Sequence, residues 1–549
     1  MNRVLCRPIL ACPRPWPSAR AARLLLALAM LAGTLLAGSG CDLASPTPFV
    51  VTKPKGPGIA PPPIAQPAVQ PAAAPAEDSS ETWDVYFIQR SRVGYGHTTI
   101  AEVEEAGQTL IHTENKSLTT LARAGQSVSQ SMTLASWETP EGGLVRFSSR
   151  MTTGPGELVA SGRVEGDKLI VETSTLGSSE SQTIPWQADW GGYFAAEQSL
   201  KRQPMQPGEQ RTVRGLNPIL NMPSDTTLSA TEYETVKLPG GEAKLLRIDS
   251  VIDLIVQKLD TVLWVNEQGE TLKSLVPALG QEAFRTTKQD ALRKVEGGGF
   301  DLMVSSIVKL TGKMPNPLTT EPLTTRRVVY LAKVKSGQID GTFAESLSQR
   351  VAAVDEQTAR ITVLAIRPDV PPSPDLPPTP PTAEDLAANN LVQSEDPLVI
   401  EMAAKAAPAG GDAWQTAQSL ERYVSQSIEQ KNFSQAFATA GEVARSLEGD
   451  CTEHSVLLAA LCRARKIPAR VAFGLVYYPP QQGFAYHMWN EVWIGDRWVP
   501  LDGTLGLGGV GADRLKLADS SLAGSTGFSD LLAVLAVFGR LELEVVSAE

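Results

Sequence analysis

The sequence predicts an α+β protein: a β-rich N-terminal region, then a proline-rich break, then a domain that opens in helices and closes in strands. Three observations predict it. Between Trp83 and Val295, short runs with alternating apolar residues are separated by turn residues, the signature of strands. Eight prolines then crowd the fourteen residues Pro368 to Pro381, which no regular element tolerates. Beyond them the period becomes helical, with Asp412 and Gln415 spaced as a capping box and Ala417, Leu420, Val424 and Ile428 on one face.

A chain of 549 residues exceeds one core, so three or four domains is the natural division. The first forty residues stand apart from the fold. Arg3, Arg7, Arg14, Arg20 and Arg23 come without an acidic residue, followed by the 13-residue apolar run Leu24 to Leu36 and the small residues Ala37-Gly38-Ser39-Gly40. That run is short for a bilayer span and reads as an export signal with its cleavage region. Cys41 follows directly. The junction resembles the lipobox of bacterial lipoproteins, with Gly38 where such motifs place an apolar residue, and implies lipid attachment at Cys41. Ten prolines between Pro46 and Ala76 then make a semi-extended spacer of about 90 Å.

The β-rich region is expected over residues 81–300 as an antiparallel sheet curved into a half-barrel. Trp83–Ile88, Lys168–Thr173 and Thr261–Val265 should be strands, with Glu165-Gly166-Asp167 and Pro239-Gly240-Gly241 as turns. Short helices are expected near Gly192–Ser199 and Thr287–Arg293. A small β unit over 301–367 holds strand-like runs at Arg327–Ala332 and Ile361–Ile366. Residues 368–385 read as a stiff linker that few contacts should cross, and 386–549 as the last domain. The apolar run Leu531–Phe538 is too short to span a membrane and should pack on that domain.

Removing the export signal takes five arginines and no acid, so the net charge moves from −11 to −16. No basic patch or basic helix stands out, which argues against a nucleic-acid partner. Of five cysteines, Cys6 and Cys12 leave with the signal and Cys41 is the lipid candidate. Cys451 and Cys462 remain, about 16 Å apart along one helix, too far for a disulfide. Unpaired thiols in an exported protein call for a reason.

The reason lies in Gly449-Asp450-Cys451-Thr452-Glu453-His454. Asp450 as N-cap, with Glu453 three residues on, makes Cys451 the first residue of a helix. The helix dipole there favours thiolate over thiol, and N-terminal amides are available to a developing oxyanion. Downstream, His487–Ile494 and Arg497–Asp502 flank Gly495-Asp496. A two-residue loop at that point puts Asp502 opposite Trp489, diagonal to His487 and on its face of the sheet, within imidazole–carboxylate reach.

These three blocks together resemble the transglutaminase-like superfamily. The first is Gly449 to His454 with Ile467-Pro468-Ala469-Arg470-Val471. The second is His487-Met488-Trp489-Asn490-Glu491-Val492-Trp493, and the third Trp498-Val499-Pro500-Leu501-Asp502-Gly503-Thr504. The resemblance covers roughly residues 412–510. It implies a papain-related fold with the cysteine helix packed on an antiparallel sheet, and a triad of Cys451, His487 and Asp502 acting on an amide through a thioester. Protein or peptide substrates follow, with no metal or organic cofactor required. The sequence departs from the family at Lys466, where Gly usually precedes Ile-Pro. The side chain that completes the oxyanion hole falls to Trp414 or Gln435.

Plainer roles fit other residues. Cys462 belongs to the core, His454 is a polar neighbour of Cys451, and Trp489, Trp493 and Trp498 either pack the hairpin or line a cleft. His97 and His112 show no partner in the sequence. A zinc site from Cys451, His454, Cys462 and His487 is disfavoured, because the two cysteines are too far apart and no Cys-x-x-Cys pair exists. The rival to an enzyme is an envelope scaffold that uses the last domain as a binding module.

Overall fold

The runs between Ser80 and Thr286 form fourteen strands of six to seventeen residues. Their unpaired backbone groups are satisfied by one antiparallel sheet. The computed structural model describes residues 79–549, apart from 124–125, 154–155, 176–177, 219–220, 254–257, 295–305, 312–324, 336, 369–378, 408–409, 430–437, 524–536 and 538. The export signal, Cys41, the Pro/Ala-rich spacer, Gln435, most of the second proline-rich segment and most of Leu531–Phe538 therefore lie outside the described residues.

The first eight strands lie side by side in chain order. The last six return, so that Gln281–Thr286 pairs with the first strand, Trp83 opposite Thr286. Gly166 takes φ 63° in the expected turn, a conformation that costs a glycine little. The helix expected at Gly192 starts later, at Ala195, and runs to Arg202. Gly192 serves close approach instead: a Cβ there would sit 2.5 Å from the Ser136 Cβ. His97 and His112 do have partners. His97 stacks on Trp83 at 4.0 Å and bonds Glu81 at 3.0 Å. His112 stacks on Trp137, its cross-strand neighbour, at 4.3 Å. The His97 pair sits beyond a register shift between Tyr86 and Phe87 that counting back from the turn does not foresee, and the His112 pair joins more distant stretches of chain.

A second, nine-stranded sheet carries the candidate site. Its strands are β1 (Val308–Thr311), β2 (Arg327–Val334), β3 (Gln349–Ala353), β4 (Thr358–Leu364), β5 (Ala469–Tyr478), β6 (Gly483–Ile494), β7 (Arg497–Leu501), β8 (Arg514–Ser520) and β9 (Leu541–Ala548). The helices between are α1 (Pro397–Ala406), α2 (Ala413–Ser427), α3 (Ala440–Ser446) and α4 (Cys451–Ala464). The order is β3-β4-β2-β9-β1-β6-β5-β8, with β7 on β6. All pairs are antiparallel except β1 with β9.

This order corrects the expected division at the second proline-rich segment. β1 pairs β6 (Val308 with Phe484) and β9 (Leu310 with Leu543), while β2 pairs β9 from Val334–Leu541 to Val328–Ala548. Side chains cross as well. Tyr330 Oη donates to the Ala512 carbonyl at 3.0 Å, and Gln349 Nε2 donates to the Lys516 carbonyl at 2.7 Å. Residues 301–367 are thus not a separate small unit among the described residues. Prolines bar ladder formation within their own stretch only, and the strands on either side still need partners.

Candidate active site

The helix bearing Cys451 begins where the sequence requires. Asp450 caps α4 and accepts from Thr452 N at 2.7 Å, while the Glu453 carboxylate accepts from Asp450 N at 2.9 Å. This capping box has a cost for the expected chemistry. It occupies the Thr452 and Glu453 amides, so only the Cys451 N–H at this terminus lies outside the cap. Burial, then the charge of Asp450, pushes the Glu453 carboxyl up to about 8. A carboxyl held up in this way opposes less of the helix dipole that favours a Cys451 thiolate.

Cys451 is 2% exposed and Cys462 is wholly buried. Neither forms a disulfide. Burial drives the Cys462 thiol far upward, which fits a core residue. The His454 Nδ1–H donates to the Asp450 carbonyl one turn back, at 2.5 Å, so this imidazole braces the cap.

The hairpin of β6 and β7 has the expected register, Ile494 with Arg497 through Asn490 with Leu501, leaving Gly495-Asp496 as the loop. Asp502 follows directly, and His487 Nε2 lies 2.8 Å from its Oδ2. Nε2 is thus the ring nitrogen engaged with Asp502, and Nδ1 is the one turned away from it. Asn490 on β6 donates to the Ser455 carbonyl of α4 at 2.9 Å, joining the histidine strand to the cysteine helix. Trp489 lies nearly parallel to His487, with ring centroids 6.4 Å apart, and its edge covers Gly474, where a Cβ would come within 2.9 Å. Trp493 and Trp498 meet edge to face, and Arg470 lies 4.2 Å above Trp498. These tryptophans pack the hairpin.

Asp502 is held from every side. Its Oδ1 accepts from Thr504 N at 2.9 Å, and its own N–H donates to Glu421 Oε1 at 2.9 Å. Its Oδ2 is shared between His487 and Arg514 of β8, and Arg514 also bonds Asp513 at 2.6 Å. Burial alone would raise this carboxyl; the charges and hydrogen bonds of His487 and Arg514 outweigh it and hold Asp502 far below the usual carboxylate range. Glu421 is the converse. It is wholly buried on α2, and burial pushes its carboxyl up to about 7, although Gly508 N also donates to it at 2.6 Å.

Glu421, Arg514 and Asp513 did not emerge from the sequence, though two faint signals exist. Glu421 sits one residue after Leu420 and three before Val424, an acid on the apolar stripe of α2. Arg514 and Lys516 alternate on one face of a strand whose other residues are mostly buried. Trp414 lies in the first turn of α2, half-buried against the core.

Residues 400–503 match the family model described as the transglutaminase-like superfamily, so the chain carries a transglutaminase-like domain there. Among solved structures, a candidate cysteine protease from Cytophaga hutchinsonii is 16% identical, with 41% of this chain and 87% of that chain covered and a TM-score of 0.24. A β-barrel-like protein of unknown function from Brucella abortus is 11% identical, covering 38% and 94%, with a TM-score of 0.28. No curated protein matches the chain.

Proposed function

We propose that this domain carries out thiol-dependent acyl transfer on amide bonds of protein or peptide substrates, with Cys451 as nucleophile. The Cys451 thiolate attacks the amide carbonyl carbon, forming a C–S bond. His487 Nδ1–H protonates the departing nitrogen as the C–N bond breaks, leaving a thioester on Cys451. Water or an amine then attacks the thioester, giving its proton to His487 and restoring the thiolate. Asp502 holds the imidazole by Nε2 throughout and stabilises its charged form. The cysteine helix packed on the sheet that bears His487 is the arrangement this mechanism needs.

The observation that carries this reading is the buried His487–Asp502 pair, delivered by one hairpin whose strand is bonded to α4. A buried carboxylate fixed by backbone donors and an arginine, and aimed at an imidazole, has little value to a core that could be filled by apolar residues. The alternative, a non-catalytic binding module, is favoured by one observation: Cys451 and His487 are 2% and 4% exposed, so the thiol is hidden from solvent.

Alkylation of Cys451 against pH separates the two, with Cys462 as internal control. Rapid reaction well below the ordinary thiol pKa of about 8.5, lost in His487→Ala, is the result expected of an activated thiolate. Reactivity as slow as that of Cys462 and indifferent to His487 would put the binding module first. We further propose that the chain is exported and lipid-anchored through Cys41 on the envelope side of a membrane. The mass of the mature N-terminal peptide decides it.

A further inference from the structure

We propose that Arg514, itself restrained by Asp513, is a positioning residue that sets how strongly Asp502 supports a proton on His487. The inference rests on the triad reading above and extends it to two residues that neither the family match nor the sequence motifs contain. Four charged or chargeable side chains form an unbroken line: Asp513, Arg514, Asp502 and His487. Their side chains are 7%, 4%, 1% and 0% exposed, so water screens none of them. The middle link is unusual, because Arg514 and His487 bond the same oxygen, Oδ2 of Asp502.

The physical consequence follows from sign. A buried carboxylate alone beside an imidazole strongly favours imidazolium. Arg514 shares the same lone pairs and cancels part of that field, so the imidazolium is held less tightly and can give up its proton to a leaving nitrogen. Asp513 draws on Arg514 from the other side and limits the cancellation. The two residues thus act on His487 in opposite directions, through Asp502. A purely structural ion pair would not do so.

Charged and titratable groups on the elements packed about the His487 strand stay constant across the comparison. They are Cys451, His454 and the Asp450–Glu453 cap on α4, Glu421 on α2 at the Asp502 amide, and Glu491, Lys516, Arg470 and Asp519. Those last four pair among themselves farther along the same sheet face.

The chain has four histidines, so selective labelling of histidine rings in the full-length protein gives few signals to follow by NMR, with His487 assigned by its loss in His487→Gln. Arg514→Gln should raise the His487 titration midpoint by about one pH unit. Asp513→Asn should lower it, and Arg514→Lys, which keeps the charge, should leave it near the wild-type value. Alkylation of Cys451 should move in parallel, and an unreactive Cys462 certifies that α4 remains folded. Equal midpoints in wild type and folded Arg514→Gln would overturn the proposal. If Arg514→Gln does not fold, Asp513→Asn decides alone: a midpoint unchanged or raised overturns it. Asp502→Asn tests the underlying triad separately. If it alters neither the His487 midpoint nor the reactivity of Cys451, the triad reading itself fails.

Discussion

Glu421 makes the sharpest prediction about stability, because its position forces a conflict between burial and charge. Its two oxygens accept the backbone N–H groups of Asp502 and Gly508, with Gly509 also bonding it, and the side chain is cut off from water. Burial lifts its carboxyl from 4.5 to about 7. The protonated form is therefore favoured by folding, and that stabilisation is complete below about pH 4.5 and is lost as pH rises through 7. The difference corresponds to on the order of 3 kcal/mol across that window. Glu421→Gln stays neutral at all pH but turns an NH2 group toward the Gly508 and Gly509 amides, a cost of about 1–3 kcal/mol that does not vary with pH. The variant should accordingly be less stable than wild type at pH 5 and equal or more stable at pH 8. Pulsed alkylation of Cys462 in urea, normalised to the unfolded chain at each pH, reads the opening of α4 specifically. A gap between the two proteins that is the same at pH 5 and pH 8 would refute the argument.

Three further outcomes are expected. Lys466 ends α4 exposed and at φ 62°, so Lys466→Gly should stabilise the domain by about 0.5–1 kcal/mol in thermal or chemical unfolding. Arg463 is 1% exposed and donates to the carbonyls of Ala469, Ala387 and Ser521, so Arg463→Met should cost about 3 kcal/mol or more in the same assay. A fragment of residues 386–549 lacks both strands that flank β9 and should show no cooperative unfolding, whereas 301–549 should unfold cooperatively by circular dichroism.

What the sequence makes legible here is local. The cap at Asp450, the helix it starts, the register of the hairpin and the meeting of His487 with Asp502 each follow from fewer than about twenty residues of chain, where spacing converts directly into geometry. Lys466 belongs to the same class, because the residue that closes a helix just ahead of Ile-Pro turns left-handed whether it is a glycine or a lysine. The residues that fix Asp502 from outside are of another kind. Glu421 lies 81 residues from Asp502 and bonds its backbone, which has no side-chain identity to read. Arg514 is only twelve residues away, yet it reaches Asp502 from a strand on the far side of β5. An acid on an apolar helix stripe and a cation in a buried strand are the signals such contacts leave, and both were present.

The misplaced domain boundary has the same origin. A proline run bears only on the chain it occupies, where it disfavours ladders and helices. It carries no information on where the hydrogen-bonding groups of the flanking strands go, and that question decides whether two segments are one domain. β1 is only four residues long, yet it bridges β6 and β9, strands that come about 170 and 230 residues later. Such a strand cannot be recognised by periodicity, because four residues hold no pattern, and its burial comes from partners the local sequence does not mention. The site therefore depends on chain from both sides of the prolines. β6 carries His487, and it is flanked on one side by β5, its hairpin neighbour, and on the other by β1 from before the break. The geometry of the histidine is thus set partly by residues that the sequence pattern assigns to a different domain.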